Sequence, residues 1–241
     1  MKKYEKEYNM KQMNQPYRST EVFINWLEEL HFLNHTEQQN VCDMACGGGG
    51  NTVYLGNRFK NIQFTGIDIN REFIDWGNEC IKQNSKFGNC QLHEGDWYCM
   101  DTRWKNKFDG IVSFQTLLMF PEYREPLKKL AELGPNWIAL SSLFYEGDLE
   151  YTIHFKDYYR PQEGREYSDI YYNIHSLIRF RKYLKELGYS KFEYVPFDID
   201  IDLPRTDSLD IGTYTVRLED GKRIQISGGM MMPWYFIAAC R

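Results

Sequence analysis

Continuously apolar runs that alternate with amphipathic segments restrict the fold of this 241-residue chain more than any other feature. The runs comprise a strand predicted to end near Asp43, IQFTGIDIN with Asp68 near its end, CQLHEGDW, FDGIVSFQ and NWIALSSLF. Helices are predicted between them, over residues 52–59, 72–83 and 122–133. Because these runs do not alternate apolar with polar residues, they predict parallel strands that are covered by helices on both faces.

The two ends of the chain have different patterns. Residues 20–30 are predicted to form an amphipathic helix. IHSLIRFRKYLKELGY is predicted to be a helix that stops at Gly188, and KFEYVPFDIDI a strand. TYTVRLEDGKRIQIS is typical of a hairpin that turns at Asp220 and Gly221, and WYFIAAC of a final strand. Residues 151–172, which hold six tyrosines, are expected to form a loop.

Four consecutive glycines, Gly47 to Gly50, follow the first predicted strand. Glycine loses more backbone entropy on folding than any other residue, so the run indicates that the main chain passes close to a ligand or a packed helix. The dinucleotide fingerprint G-x-G-x-x-G does not fit, because its third position falls on Thr52 or Val53. The residues that remain form the pattern D-x-A-C-G-x-G: Asp43, Ala45, Gly47 and Gly49.

This pattern resembles motif I of the class I S-adenosylmethionine-dependent methyltransferases, usually written D/E-x-G-x-G-x-G. The resemblance continues in order over about residues 41–120. Asp68 in GIDIN matches the acid that ends the second strand of that family, EGDW matches the loop after strand three, and FDGIVSFQ matches motif IV. The resemblance implies S-adenosyl-L-methionine as the cofactor.

The resemblance also implies roles for side chains at the ends of the strands. Asp68 would accept hydrogen bonds from the ribose hydroxyls. Asp96 would take the adenine amino group, with Trp97 beside the ring, and Ile69 would also contact the cofactor. Asp43 would hold the loop or the ammonium group of the cofactor. For Asp43 and Asp96, roles as a loop cap and a turn residue stay open, as does a core role for Ile69 and Trp97.

The four glycines are expected to differ in their tolerance of side chains. Gly47 and Gly49 fall on the loop pattern, where the main chain approaches the amino-acid end of the cofactor. Gly48 and Gly50 fall on variable positions, so substitutions there are expected to be mild. Ala45 departs from the glycine that is usual in the family, which tightens the turn but leaves the carbonyl group available.

The methyl acceptor is expected to bind between the N-terminal segment, the tyrosine-rich loop and the C-terminal hairpin. Arginine and tyrosine side chains there suit a polar, anionic small molecule such as a phosphate or a uronate. The candidates for substrate binding are Tyr17, Arg18, Tyr159, Arg160, Tyr172 and Arg179. Gln115, at the end of strand four, is expected to face both cofactor and acceptor and is a candidate catalytic residue. His154 and His175 are candidate bases, although all of these side chains could also be structural.

Several features argue against nucleic acid as the substrate. FDGIVSFQ continues as SFQT at Ser113 to Thr116, so the base-methylating motif D/N-P-P-Y/F is absent. The formal net charge is −5, and the sequence contains no dense block of lysine and arginine.

The sequence also lacks signals for membrane insertion and metal binding. The N-terminus has no apolar segment typical of a signal peptide, and the apolar run over residues 110–120 is too short to span a bilayer. The six cysteines form no CxxC pair and have no histidine at zinc-ligand spacing, so they are expected to be reduced and to bind no metal. These patterns indicate a cytoplasmic protein, expected to be a monomer or a weak homodimer.

The C-terminal block from DIDIDLPRTDSLDIG to the final arginine looks like a tail found in methyltransferases of bacterial capsule and lipopolysaccharide biosynthesis. One such group acts in the O-methyl phosphoramidate modification of capsules. The resemblance implies O-methylation of a small anionic precursor of a surface polysaccharide, and an anionic phosphoryl oxygen needs no general base. Methylation of another small metabolite, a NAD-type oxidoreductase and a silent nucleotide-binding protein are the alternatives.

Together these inferences predict one α/β domain over residues 1–241, with the Rossmann-like fold of the methyltransferases. Its doubly wound, mostly parallel sheet would have seven strands and end in an antiparallel pair, with an inserted C-terminal β-hairpin. Residues 1–35 would be an N-terminal helical segment, 36–145 the cofactor-binding core, and 146–241 the acceptor-site loop, helix, hairpin and last strands.

Overall fold

The computed structural model describes residues 3–162, 164–205 and 212–241. The helices are α1 (Lys3–Asn14), α2 (Arg18–Glu29), α3 (Gly50–Arg58), α4 (Arg71–Lys82), α5 (Arg124–Glu132) and α6 (Leu177–Glu186). The strands are β1 (Gln39–Met44), β2 (Ile62–Asp68), β3 (Cys90–Glu94), β4 (Gly110–Phe114), β5 (Trp137–Tyr145), β6 (His154–Asp157), β7 (Ser168–Tyr171), β8 (His175–Ser176), β9 (Lys191–Pro196), β10 (Thr213–Arg217), β11 (Arg223–Ser227), β12 (Met230–Met231) and β13 (Trp234–Cys240). Single 3-10 turns cover Ser85–Phe87, Thr102–Trp104 and Leu117–Met119.

The main sheet confirms the predicted doubly wound architecture. Seven strands lie side by side in the order β3-β2-β1-β4-β5-β13-β9, and the short β8 pairs with the end of β5. The pairings from β3 to β5 are all parallel, whereas β13 is antiparallel to both β5 and β9. The final strand therefore lies inside the sheet and not at its edge.

Both faces of the sheet are covered, as the apolar runs predict. Alternate residues of a strand point to opposite faces, so Val41 and Cys42 join two different buried clusters. One cluster packs the sheet against α2, α3 and α4, and the other packs it against α5 and α6. A strand buried on both faces needs apolar residues at every position, which explains why these runs do not alternate.

Three regions differ from the prediction. Residues 151–172, expected to be a loop, contain the antiparallel ribbon β6–β7. The predicted helix near His175 begins only at Leu177, because His175 and Ser176 first pair with β5 and the Ser176 hydroxyl then caps the helix by accepting from the Arg179 N–H. The predicted hairpin is present, with Gly221 at φ +83°, but β12 extends it to three strands. Within the described ranges, no helix is long and apolar enough to cross a membrane.

Phe23 is one of three fully buried apolar side chains, with Ile24 and Leu27, that attach helix α2 to the sheet. The Phe23 ring is fully buried, with its centroid 4.8 Å from that of Phe236 in β13 and 5.5 Å from that of Phe114 in β4. Aromatic pairs of this kind are worth more than their buried area alone. Phe23 therefore fixes the N-terminal segment over the carboxyl end of β4.

Replacing Phe23 with alanine is expected to lower the free energy of unfolding by about 3–5 kcal/mol, because it leaves a cavity between α2 and the sheet. Urea unfolding measures this loss. Ile178→Ala in α6 is the control, since Ile178 is 55% exposed and its truncation is expected to change stability by less than about 0.5 kcal/mol. Equal losses from the two variants would contradict the assigned packing.

Candidate active site

The loops after β1, β2 and β4 meet at one edge of the sheet. Asp43 in β1 pairs with Gly66 in β2 and with Val112 in β4, so the three parallel strands end at nearly the same level. Ligands of open α/β sheets bind outside the carboxyl ends of the strands, where such loops converge. The predicted cofactor residues lie at the ends of β1 and β2 or on the loops after β1, β2, β3 and β4.

The loop after β1 makes a tight turn on positive-φ residues. Ala45, Gly47 and Gly49 have φ values of +61°, +56° and +84°. The N–H groups of Ala45 and Cys46 both donate to the Ile67 carbonyl oxygen, at 2.7 and 3.1 Å, which fixes the turn against β2. Left-handed φ is strained for alanine, and such strain persists where the surrounding structure enforces it. Gly49 precedes α3, so the N–H groups of its first turn face the same edge.

Asp68 joins this loop to the next one. Its Oδ2 accepts from the Gly47 N–H at 2.8 Å, and its Oδ1 accepts from the Asn70 N–H at 2.8 Å. A carboxylate has about four lone-pair sites, so two bonds leave capacity for two hydroxyl donors. The position and remaining acceptor sites of Asp68 fit the ribose of the expected cofactor.

Asp43 lies beneath the loop. Its side chain is buried, and its Oδ2 accepts from the Thr52 hydroxyl of α3 at 2.6 Å. Burial raises the pKa of Asp43 to about 7; the charge of Asp68 adds to this rise and the Thr52 hydrogen bond opposes it. Of the two roles considered for Asp43, this geometry favours the one that holds the loop to α3.

The expectation that Gly48 and Gly50 tolerate side chains is wrong on steric grounds. A Cβ atom on Gly48 would lie 2.5 Å from Oδ1 of Asn9, and one on Gly50 would lie 2.8 Å from Cβ of Gln12. Both neighbours belong to α1, which the apolar pattern did not identify as a separate helix. Gly47 and Gly49 thus form the turn, whereas Gly48 and Gly50 lie against α1.

A cavity of about 420 Å³ adjoins the ends of β2 and β3. It is lined by Ile69, Glu94, Gly95, Asp96, Cys99, Asp101, Arg103 and Trp104. Ile69 is 67% exposed and supplies an apolar part of the cavity wall. The cavity combines an apolar wall with the Asp96 carboxylate, which suits a purine with an exocyclic amino group.

Trp97 does not line this cavity, in contrast to the expectation. Its side chain is 4% exposed, its indole N–H donates to the Pro126 carbonyl oxygen at 2.8 Å, and its ring meets Phe120 edge-on at 5.1 Å. Trp97 is thus a core residue, the alternative that the sequence left open. The aromatic side chain on the cavity wall is Trp104, which contacts His93 edge-on at 5.0 Å. Trp104 lies in a 3-10 turn beyond EGDW, where no sequence motif indicated a role in binding.

Gln115 occupies the end of β4 in a strained conformation. Its φ is +56°, and its N–H contacts the Ser141 carbonyl oxygen at 3.0 Å and the Ser141 hydroxyl at 3.2 Å. Its Nε2 donates to the Ser19 hydroxyl at 3.0 Å. A left-handed residue other than glycine at a strand end often marks a functional site. Gln115 thereby connects the sheet edge to the start of α2.

Two of the predicted acceptor-binding arginines have carboxylate partners. Arg18 forms two-pronged contacts with Asp200, the shortest of 2.7 Å, and also contacts Glu21 at 3.2 Å. The Arg179 Nε lies 2.6 Å from Oδ1 of Asp148. The positive charge that an anionic acceptor would need is therefore largely neutralised at both positions.

The predicted tyrosines occupy two environments. Tyr17 lies beside Tyr8 of α1, with ring centroids 6.4 Å apart, and Tyr172 is half-buried against the ring of Phe155 at 5.2 Å. Burial raises the pKa of Tyr8, and the hydroxyls of Tyr17 and Tyr172 add to that rise. Tyr159, by contrast, is exposed on the connection between β6 and β7, next to Arg160.

The two candidate histidines lie in different environments. His154 is exposed on the ribbon, with its Nε2 2.8 Å from Oδ1 of Asp169, and it points away from the face that carries Phe155. His175 is buried, and its Nε2 has no hydrogen-bond partner among the described residues. Burial lowers the pKa of His175 to about 4, so the ring is neutral at physiological pH.

The buried groups Asp43 and His175 are expected to give opposite pH dependences of stability. The folded pKa of Asp43 is raised, so the stability contributed by its protonated form is lost as pH rises from about 4 to about 7. The folded pKa of His175 is lowered, so stability is lost as pH falls from about 6.5 to about 4. Urea unfolding of wild type, Asp43→Asn and His175→Gln across this pH range separates the two effects.

Relative to wild type, Asp43→Asn is expected to gain stability as pH rises through this range, and His175→Gln is expected to gain stability as pH falls. Parallel stability curves for the three proteins would show that neither group titrates as assigned.

Comparisons with known proteins agree with this geometry. Residues 35–153 match a family model described as a methyltransferase domain. A fatty-acid O-methyltransferase from Mycolicibacterium smegmatis is 27% identical over 97 residues, which are 40% of this chain and 34% of that protein. A SAM-dependent methyltransferase from Methanosarcina mazei superposes with a TM-score of 0.58 at 14% identity, over 89% of this chain and 96% of that one. A magnesium protoporphyrin IX methyltransferase from Synechocystis, solved with bound SAM, superposes with a TM-score of 0.54 at 15% identity, over 93% and 79% of the two chains.

The matches to curated relatives are partial in length. This chain spans 34% of the length of the fatty-acid O-methyltransferase and 34% of the length of a second curated relative. The solved structures are too distant in sequence to show more than the fold. The sheet order, the glycine loop after β1 and the family match nevertheless agree with one another, and residues 35–153 form a methyltransferase domain of the class I S-adenosylmethionine-dependent family.

Proposed function

We propose that the chain is an S-adenosylmethionine-dependent methyltransferase that acts on an oxygen atom of a small polar acceptor, a precursor of bacterial surface polysaccharide. The observation that carries the first part is the joint placement of the glycine loop, Asp68 and the cavity beside Ile69 at one sheet edge. The similar proteins named above are also methyltransferases.

The residues present can hold each part of the cofactor. The cavity that Asp96 lines would take the adenine ring, and the free acceptor sites of Asp68 would take the ribose hydroxyls. The main chain at Gly47 and Gly49, with the first turn of α3, would face the amino-acid end. When bound, the cofactor would supply a methyl group on a sulfonium sulfur, and the acceptor oxygen would bond to that carbon in line as the carbon–sulfur bond breaks and the neutral thioether is released.

For such a displacement the protein mainly aligns the acceptor with the cofactor and excludes water. Gln115 lies at the end of β4, beside the predicted cofactor loop, and its side chain amide is held by Ser19. Its carboxamide oxygen can accept a hydrogen bond from an acceptor hydroxyl. An oxygen nucleophile is favoured over a base amino group, because the D/N-P-P-Y/F motif is replaced by SFQT.

The acceptor wall is the group of polar side chains proposed to face the acceptor: Tyr8, Tyr17, Tyr172 and Arg18. Its members are uncharged or, for Arg18, paired with a carboxylate. Tyr8, Tyr17 and Tyr172 supply phenol groups near one another, while Arg18 is paired with Asp200. Because the charge of Arg18 is already paired with Asp200, this wall favours an uncharged sugar hydroxyl over an anionic group. The positions of His154 and His175 favour an oxygen that needs no base, such as a phosphoryl oxygen. A sugar phosphate offers both kinds of oxygen and is the first acceptor to test.

The assignment to surface polysaccharide rests on the resemblance of the C-terminal block. Its described part forms the three-stranded sheet β10–β12 and the strand β13. Arg217 and Arg223 both contact Asp202 in this region, at distances down to 2.5 and 2.7 Å. These pairs connect the sheet to the segment that carries Asp200, the partner of Arg18. The block is therefore joined to the N-terminal side of the acceptor region.

Replacing Asp68 with alanine is expected to weaken binding of S-adenosylhomocysteine by about 10- to 100-fold, since hydrogen bonds to a charged acceptor are lost. Isothermal titration calorimetry measures the dissociation constant. Asp75→Ala removes an exposed carboxylate from α4 and serves as the control, with binding expected to stay unchanged. Absence of binding by the wild-type chain, or equal binding by all three proteins, would refute the cofactor site. A fluorescence response to a nicotinamide cofactor would instead favour the oxidoreductase alternative.

Acceptor identity is tested with isotopically labelled methyl donor and a panel of sugars, uronates and sugar phosphates. Turnover is expected on a sugar or sugar phosphate. Coupling of the labelled methyl carbon to phosphorus in the product spectrum distinguishes a methyl phosphate from a methyl ether. Turnover on protein or RNA alone would contradict the proposed acceptor class.

A further inference from the structure

Helix α1 lies directly on the glycine loop. Asn9 is 5% exposed, and its Oδ1 accepts a hydrogen bond from the Gly48 N–H at 3.0 Å. Gly48 is also close to α4, since a Cβ there would lie 3.0 Å from the Trp76 ring. The loop is thus held between α4 on one side and Asn9 on the other.

The two glycines outside the turn pattern are the ones that face α1. A Cβ on Gly48 would collide with the Asn9 amide, and a Cβ on Gly50 would collide with Gln12. Gly47, in contrast, has only Asn9 Oδ1 near its Cβ position, at 3.7 Å. The absence of side chains at Gly48 and Gly50 therefore allows α1 to reach the loop.

The same helix extends to the acceptor wall. Gln12 packs over Gly50 and donates from Nε2 to the Tyr8 hydroxyl at 2.9 Å. Tyr8 in turn lies beside Tyr17, at the start of α2. Asn9 thus contacts the glycine loop, while Gln12 and Tyr8, one helical turn apart on one face of α1, contact the start of α3 and Tyr17.

Helix α1 depends on these contacts for its order. It has 12 residues, a length at which an isolated helix is marginal in water, and most of them are polar. Its contacts include the buried Asn9, Gln12 over Gly50, Tyr8 beside Tyr17 and the half-buried Met13, which packs against the main core cluster. A helix held mainly by polar contacts can separate from the loop without disturbing the sheet.

We propose that Asn9 is a positioning residue for cofactor binding: it ties α1 to Gly48, so that α1 docks on the glycine loop when the cofactor is bound. Docking orders the Gly48 peptide, and cofactor contacts with the loop stabilise the docked helix. Such coupling is reciprocal, so a change in either affects the other. The inference rests on the proposed cofactor and is independent of the identity of the acceptor.

The test uses the full chain with S-adenosylhomocysteine as the probe. In wild type, hydrogen exchange of residues 3–14 is expected to slow when the probe binds. Asn9→Leu keeps the approximate volume but removes the acceptor oxygen, so the dissociation constant is expected to rise about three- to tenfold. Asn9→Asp retains an acceptor oxygen and is expected to restore most of the binding. Met10→Ala changes an exposed residue of α1 and is expected to bind like wild type.

A second variant covers the case in which Asn9→Leu does not fold. Gly48→Ala is expected to weaken binding, because its Cβ would lie 2.5 Å from Oδ1 of Asn9. Combined with Asn9→Ala, which removes that collision, Gly48→Ala is expected to cost little more than Asn9→Ala alone. Such a non-additive result measures the contact between the two positions.

Three results would overturn the inference. They are wild-type affinity in a folded Asn9→Leu variant, exchange of α1 that does not respond to the probe, and additive losses in the double variant. Each of these can occur while wild type still binds the probe, so that failure is distinct from failure of the cofactor site. If the wild-type chain did not bind S-adenosylhomocysteine, both the cofactor site and the role of Asn9 would be refuted.

Discussion

The carboxylate of Asp68 is the group on which the arrangement of the site depends. It accepts from Gly47 in the loop after β1 and from Asn70 before α4, each at 2.8 Å. Hydrogen bonds to an ionised acceptor are stronger than those between neutral groups. Asp68 therefore fixes two neighbouring loops relative to each other, and the cavity beside Ile69 adjoins the second of them. An acid at the end of a parallel strand organises the protein before it meets a ligand.

Much of the fold could be predicted because its signals are local. Apolar runs without alternation predict strands covered on both faces, and the strand WYFIAAC coincides with β13. The helices α3, α4 and α5 lie within two residues of their predicted limits. The acid and glycine positions of the site were accessible for the same reason, because a turn after a strand depends on a few adjacent residues.

The remaining features depend on contacts between distant parts of the chain. Arg18 is separated from Asp200 by 182 positions, so nothing near it shows that its charge is paired. Trp97 follows Asp96 directly, yet the turn sends its side chain to the Pro126 carbonyl oxygen in the core. Helix α1 is largely polar, and its role becomes visible only from Gly48 and Gly50, whose missing side chains it replaces. Sequence patterns identify which residues are special but not which partner makes them so.

The position of β13 has a consequence for how the protein folds. This strand lies between β5 and β9, and its pairing joins Leu143 to Trp234 across 91 positions of the chain. Until it inserts, β5 and β9 each present an unpaired edge, which is a template for pairing with other chains. Pairing of such distant strands is a slow step. The nascent sheet is thus most vulnerable to aggregation just before β13 inserts.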